Sequence, residues 1–113
     1  MKAFIKVMKA LSDPNRVKMV KMLQIKPLCV CEITEALKIA QSTASKHLKI
    51  LEEAQLVDSY KDGLWVNYSL SKSDSTYSSL MVENLKGLLD DESDIKELIE
   101  TLPGIDRHNI GNR

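Results

Sequence analysis

Cys29 and Cys31, one residue apart, are the only cysteines in this chain of 113 residues. Thiolates are soft ligands and select thiophilic ions over hard ones. The pair therefore points to arsenite, antimonite or a heavy divalent ion. Its spacing sets a geometric condition. On a regular α-helix, residues two apart point about 200° away from each other. Both sulfurs reach one ion only where the first helical turn is irregular. Pro27, just upstream, favours a Cys29 that lies outside the regular helix. An ion bound there would distort the start of that helix. Two plainer readings stay open: small buried core residues, or a thiol pair that responds to oxidation. Two cysteines are too few for a disulfide scaffold.

A second group of residues suits contact with a nucleic acid. Gln41, Ser42 and Thr43 open a helix, and Ser45, Lys46, His47 and Lys49 follow on it. Small or polar side chains at a helix start let the backbone approach phosphates, and the helix dipole favours the anion. Gln41 can pair bidentately with adenine; Lys46 and Lys49 suit guanine edges or phosphates. His47 is assigned to a base or phosphate rather than to helix packing. Lys61, at the tip of a hairpin formed by Lys61-Asp62-Gly63, adds phosphate affinity more than specificity. The plainer alternatives are an amphipathic surface helix and a hairpin that only covers the core. His108 reads as a solvated residue of the tail.

The elements that position these groups follow from apolar spacing. Residues 3–11 place Phe4, Ile5, Met8 and Leu11 at helical period. Asp13-Pro14 reads as an N-cap with proline at the first helical position, starting a helix that buries Val17, Val20, Met22 and Leu23. A short helix over 31–37 turns Ile33, Ala36 and Leu37 inward. A tight connection, Lys38 to Gln41, leads to a helix over 42–54, capped by Ser42, with Ala44, Leu48, Ile50 and Leu51 as its apolar stripe. Two helices joined by so short a turn suggest a helix-turn-helix. Strands are expected over 56–61 and 64–70, with Asp62-Gly63 as the turn and Val66, Tyr68 and Leu70 facing in. Helical period returns at Tyr77, Leu80, Met81, Leu85 and Leu88. After an acidic break, Ser93 caps a last helix with Ile95, Leu98, Ile99 and Leu102 on one face, ended by Pro103-Gly104. Residues 105–113 read as a loose tail.

Length allows one domain-sized core. No apolar run approaches membrane-spanning length, and lysines at Lys2, Lys6 and Lys9 break the N-terminal apolar stretch, so no signal peptide is expected. A cytoplasmic location follows as an expectation. Net charge is zero, but residues 1–61 carry +5 and residues 62–113 carry −5. The basic half can face phosphates.

These residues together resemble the ArsR/SmtB family of metal(loid)-responsive repressors, in its arsenic-sensing branch. The resemblance runs from residue 3 to about 89. It is carried by Leu11-Ser12-Asp13-Pro14-Asn15-Arg16, by Leu28-Cys29-Val30-Cys31-Glu32-Ile33, by Gln41 to Lys49, and by Val66-Asn67-Tyr68-Ser69-Leu70. It implies a mainly α fold with a β-hairpin, a homodimeric winged helix-turn-helix. Residues 1–89 would be the DNA-binding and dimerisation domain, and 90–113 a C-terminal extension. It implies an interface made by the first and penultimate helices, and operator contacts from Gln41, Ser42, Ser45 and His47. Double-stranded operator DNA with an inverted repeat is the expected partner. No cofactor is needed for DNA binding; As(III), Sb(III) or another thiophilic ion is the expected inducer, with a redox trigger or no metal response as alternatives.

Several positions depart from the family pattern. Lys38 and Gln55 stand where glycine is usual, and Leu64 where the wing often carries arginine. Thr34 occupies the place of a third cysteine. Residues 75–89 contain no histidine, which excludes the Asp/His site on the interface helix and argues against zinc, nickel and cobalt. An enzyme using the cysteine pair is disfavoured, because the chain lacks a Cys-x-x-Cys motif, a βαβ context and a convergent base. A winged helix that binds protein rather than DNA is the third alternative.

Overall fold

The computed structural model describes residues 1–72 and 75–110. The chain runs α1 (Lys2–Ala10), α2 (Pro14–Leu23), β1 (Leu28–Cys29), α3 (Val30–Leu37), α4 (Gln41–Glu53), β2 (Val57–Asp62), β3 (Trp65–Leu70), α5 (Thr76–Leu85), α6 (Ser93–Thr101), a 3-10 turn (Leu102–Gly104) and α7 (Arg107–Ile110). The three strands form an antiparallel sheet in the order β1-β3-β2. This is a mostly helical winged helix-turn-helix.

Asp13 caps α2 as its sequence requires. Its carboxylate accepts from the backbone N–H of Asn15 at 2.8 Å and of Arg16 at 3.2 Å, with Pro14 at the first helical position. The core joins Val7 and Ala10 of α1, Met19, Val20, Met22 and Leu23 of α2, Ile33 of α3, and Ala44, Leu48 and Leu51 of α4. Leu56, Val57, Leu85, Leu98 and Leu102 close it from the other side. Tyr68 packs against this core; burial, with the Glu52 carboxylate nearby, raises its phenol above the usual value.

Lys38 ends α3 in the left-handed region, at φ +56°. That conformation sharply turns the chain into α4, and a Cβ is strained there. Replacing Lys38 by glycine should relieve the strain at some cost in chain entropy, for a net gain of about 0.5–1 kcal/mol. The midpoint of urea denaturation should rise at unchanged slope. Gln55, which leads from α4 to β2, is left-handed too, at φ +61°.

Several expectations need correction. On α1, helix phase buries Val7 and Ala10, while Phe4 and Ile5 are exposed. Ser42 does not cap α4: the cap position is Ala40, without a side-chain bond, and Ser42 is already inside the helix. Ile50 leaves the apolar stripe of α4 and is 40% exposed. Ser93 likewise lies inside α6, capped at Glu92. The hairpin turn is Gly63-Leu64, because Asp62 pairs with Trp65 across the ladder. Gly63 has φ +62°, so only the first turn residue needs glycine's freedom.

On β3, Tyr68 and Leu70 pack against the core as expected, but Val66 is exposed, and Asn67, on the opposite face, is buried. The face of β3 that carries Asn67 is covered by the C-terminal segment, and the free edge of the strand is taken by a short strand that the sequence reading did not expect. β1 pairs there, Leu28 opposite Tyr68 and Cys29 opposite Asn67. The C-terminal segment docks beside it. The Arg107 guanidinium lies 4.3 Å from the Trp65 ring centroid and donates to Asp62 at 2.9 Å and to Asn67 at 3.3 Å. The His108 ring meets Trp65 edge-on, so it is not merely a solvated residue. The stretch expected as a loose tail thus carries helix α7; residues 111–113 lie outside the described residues. Helix α6 packs on α2 and α3 of its own subunit, burying Ile95 and Leu98.

Candidate nucleic-acid interface and thiol pair

Helix α4 is held by one face and free on the other. Ala44, Leu48 and Leu51 are fully buried. Gln41, Ser42, Thr43, Ser45, Lys46 and Lys49 are exposed, and His47 is half-buried. The period of 3.6 residues makes this division unavoidable once the apolar positions dock. Lys61 is exposed near the end of β2, beside a turn whose Leu64 is 96% exposed. Ser59 of β2 donates to the Glu52 carboxylate of α4 at 2.8 Å, which ties the hairpin to the helix.

His47 has a partner that sequence spacing does not reveal. Nη1 of Arg16, on α2, lies 3.0 Å from Nδ1 of His47. The same guanidinium donates through Nε to the Ala10 carbonyl at 2.7 Å and through Nη2 to the Lys9 carbonyl at 3.3 Å. These are carbonyls of the last turn of α1, which lack helical partners. One arginine therefore joins α1, α2 and α4.

The cysteines sit at the root of α3. Cys29 occupies the N-cap in extended conformation, φ −82° and ψ 164°; it lies outside the regular helix, which is the condition its spacing set. It is buried, while Cys31 is half-buried in the first turn. The two sulfurs are joined as a disulfide, with Cα atoms 5.4 Å apart. The Cys29 N–H donates to the Glu32 carboxylate at 2.9 Å, so the cap is tied to the helix that follows. The Thr34 hydroxyl donates to the Cys31 carbonyl at 2.9 Å. Among the described residues no cluster of three His, Cys, Asp or Glu could hold a metal. Reduction of the disulfide yields two juxtaposed thiols, which suit two coordination positions of a thiophilic ion.

Lys21 also escaped the sequence reading. It is 4% exposed, yet its ammonium donates to the carbonyls of Leu85 at 2.9 Å and Leu88 at 2.8 Å and pairs with Asp90 at 2.6 Å. It thereby secures the C-terminal end of α5. Its place in an apolar helix pattern was the only signal available.

A helix-turn-helix followed by a hairpin wing, with an exposed polar face on the second helix, defines a winged-helix transcription regulator. Residues 13–59 match the family model of the bacterial regulatory proteins, arsR family. The arsenical resistance operon repressor of Bacillus subtilis (strain 168) is 38% identical over 78 residues, covering 68% of this chain and 72% of that one. A cadmium resistance transcriptional regulatory protein CadC homolog of Staphylococcus aureus is 41% identical over 66 residues, 58% of this chain and 54% of the relative. Among solved structures, HlyU from Vibrio cholerae N16961 aligns with a TM-score of 0.67 at 32% identity, covering 77% of this chain and 91% of that one. This chain belongs to the ArsR family of transcription regulators.

Proposed function

We propose that the chain is a homodimeric repressor that reads an inverted-repeat operator with α4 and releases it when a thiophilic ion, arsenite or antimonite foremost, binds Cys29 and Cys31. Gln41, Ser42, Thr43, Ser45, Lys46, His47 and Lys49 face the major groove, and Lys61 the flanking backbone. The observation that carries the switch is the position of the sulfurs. They meet at the N-cap of α3, and α3 passes through a single left-handed residue, Lys38, into the reading helix α4. A change of geometry at that cap is transmitted through packed helices. Relatives named for arsenical and cadmium resistance support a thiophilic inducer.

Dimerisation rests on an exposed apolar face. Phe4 and Ile5 of α1 and Tyr77 and Leu80 of α5 are exposed, and the Phe4 and Tyr77 rings meet edge-on at 5.6 Å. Such a patch suits a two-fold interface between copies. No described helix is long and apolar enough to cross a membrane.

The disulfide favours a second reading, in which oxidation of the same pair is the trigger. One experiment separates the two. Reduced protein bound to a duplex selected from a random library is challenged in a gel shift with arsenite, antimonite, cadmium, lead or hydrogen peroxide. Release by ions under reducing conditions, with a loss of about 5- to 150-fold in affinity, supports ion sensing. Release by peroxide alone supports the thiol trigger. Unchanged affinity with every addition refutes both.

A further inference from the structure

We infer that Arg16 fixes His47 as a hydrogen-bond donor toward the operator, presenting Nε2–H to a purine N7 or a phosphate oxygen, and that Arg16 is the positioning residue for that contact. The inference rests on the reading of α4 as the DNA-facing helix. It adds the chemical sense of one contact and the residue that sets it.

A guanidinium carries only donors. The ring nitrogen facing Arg16 Nη1 at 3.0 Å is Nδ1, so Nδ1 must be the acceptor. In a neutral imidazole the proton then resides on Nε2. Among the described residues Nε2 has no hydrogen-bond partner. Arg16 cannot rotate to release the ring without breaking other bonds. Its Nε and Nη2 hold the carbonyls of Ala10 and Lys9, and its own backbone N–H is held by the Asp13 cap. The planar fork is thereby fixed at three acceptors, which a lysine ammonium on a flexible stem cannot reproduce. His47 follows Lys46 on the polar side of α4, one position before buried Leu48. Its inner nitrogen is engaged by the protein and its outer nitrogen is a donor. Such a group selects acceptors in the groove and cannot receive a bond from adenine N6 or cytosine N4.

The test has two parts. The first uses the free chain and needs no DNA. A long-range proton–nitrogen correlation spectrum of the histidine rings should show His47 with Nε2 protonated and Nδ1 bare. In Arg16→Met the two nitrogens should move toward a tautomer average, and Arg16→Lys should restore the wild-type pattern only in part. A wild-type ring protonated on Nδ1, or a pattern unmoved by Arg16→Met, overturns the inference. If Arg16→Met does not fold, the wild-type spectrum and the second part decide.

The second part uses a duplex selected from a random library, with 7-deazapurine or methylphosphonate placed at single positions. At one position the modification should weaken wild-type binding about tenfold and add no penalty in His47→Ala. His47→Gln, which keeps a donor near the Nε2 position, should retain the sensitivity. A deazapurine effect assigns the acceptor to a base, a methylphosphonate effect to the backbone. If His47→Ala leaves every penalty intact, the contact does not exist. A chain that binds no duplex sinks the DNA reading and leaves the ring spectrum to stand by itself.

Discussion

Reversing both Lys46 and Lys49 to glutamate should weaken operator binding by at least about 100-fold while leaving the fold intact. Both side chains are exposed on α4, outside the buried stripe of Ala44, Leu48 and Leu51 that anchors the helix. Each lysine that contacts a phosphate or base edge contributes on the order of 1–3 kcal/mol at most, and a two-fold dimer repeats the loss. Reversal also adds repulsion from the backbone. The slope of log affinity against log salt should become shallower by about one per phosphate contact removed. Thermal unfolding of the variant should match the wild type, since exposed substitutions of this kind usually stay within about 0.5 kcal/mol. Fluorescence anisotropy with a labelled duplex checks the first point. Affinity within threefold of wild type would remove α4 from the interface.

Lys21→Met should be the most destabilising of the polar substitutions, by about 2–3 kcal/mol. The methionine fills the aliphatic space but donates nothing. The carbonyls of Leu85 and Leu88, and the Asp90 carboxylate, then lose their shared donor. A buried acceptor left without a partner costs about 1–3 kcal/mol; Asp90 is half-exposed, and water recovers part of its share. Urea denaturation reads the loss. Lys21 secures the end of α5, whose Tyr77 and Leu80 belong to the exposed apolar face, so the dimer should dissociate at lower dilution than wild type. A variant of unchanged midpoint would mean the carbonyls find other donors.

The helical frame was legible because period and caps agree. Asp13-Pro14 marked the start of α2, and the alternation of apolar residues located α4 with its polar face outward. The left-handed turn at Lys38 was legible only through the family resemblance, which places glycine at that position. What failed was long-range. Arg16 meets His47 across 31 positions, and Arg107 meets Asp62 across 45; no local spacing encodes either contact. The same holds for β1, two residues long, whose existence depends on β3 offering an unpaired edge. Asn67, on the face of β3 opposite Tyr68, is buried because the C-terminal segment covers that face, where Arg107 donates to its amide oxygen. Val7 displaced Phe4 and Ile5 from the core because α1 packs against only one side of the subunit. Its other apolar residues face outward, where a second copy would cover them.

The cysteines show both outcomes at once. Their spacing forbade a shared guest on a regular helix, and Cys29 does leave the helix as an extended cap. The sulfurs meet each other directly, however, and Thr34 directs its hydroxyl to the Cys31 carbonyl. A third ligand for a trigonal ion would then come from solvent or a small thiol.

The decisive comparison is operator affinity of the reduced wild type and of the Cys29→Ser, Cys31→Ser double variant, each with and without saturating arsenite. Both proteins should bind the duplex equally well without arsenite, and only the wild type should be released by it. Equal release of the variant, or a wild type that holds its operator unchanged at saturation, would contradict control of DNA binding from the sulfurs at the root of α3.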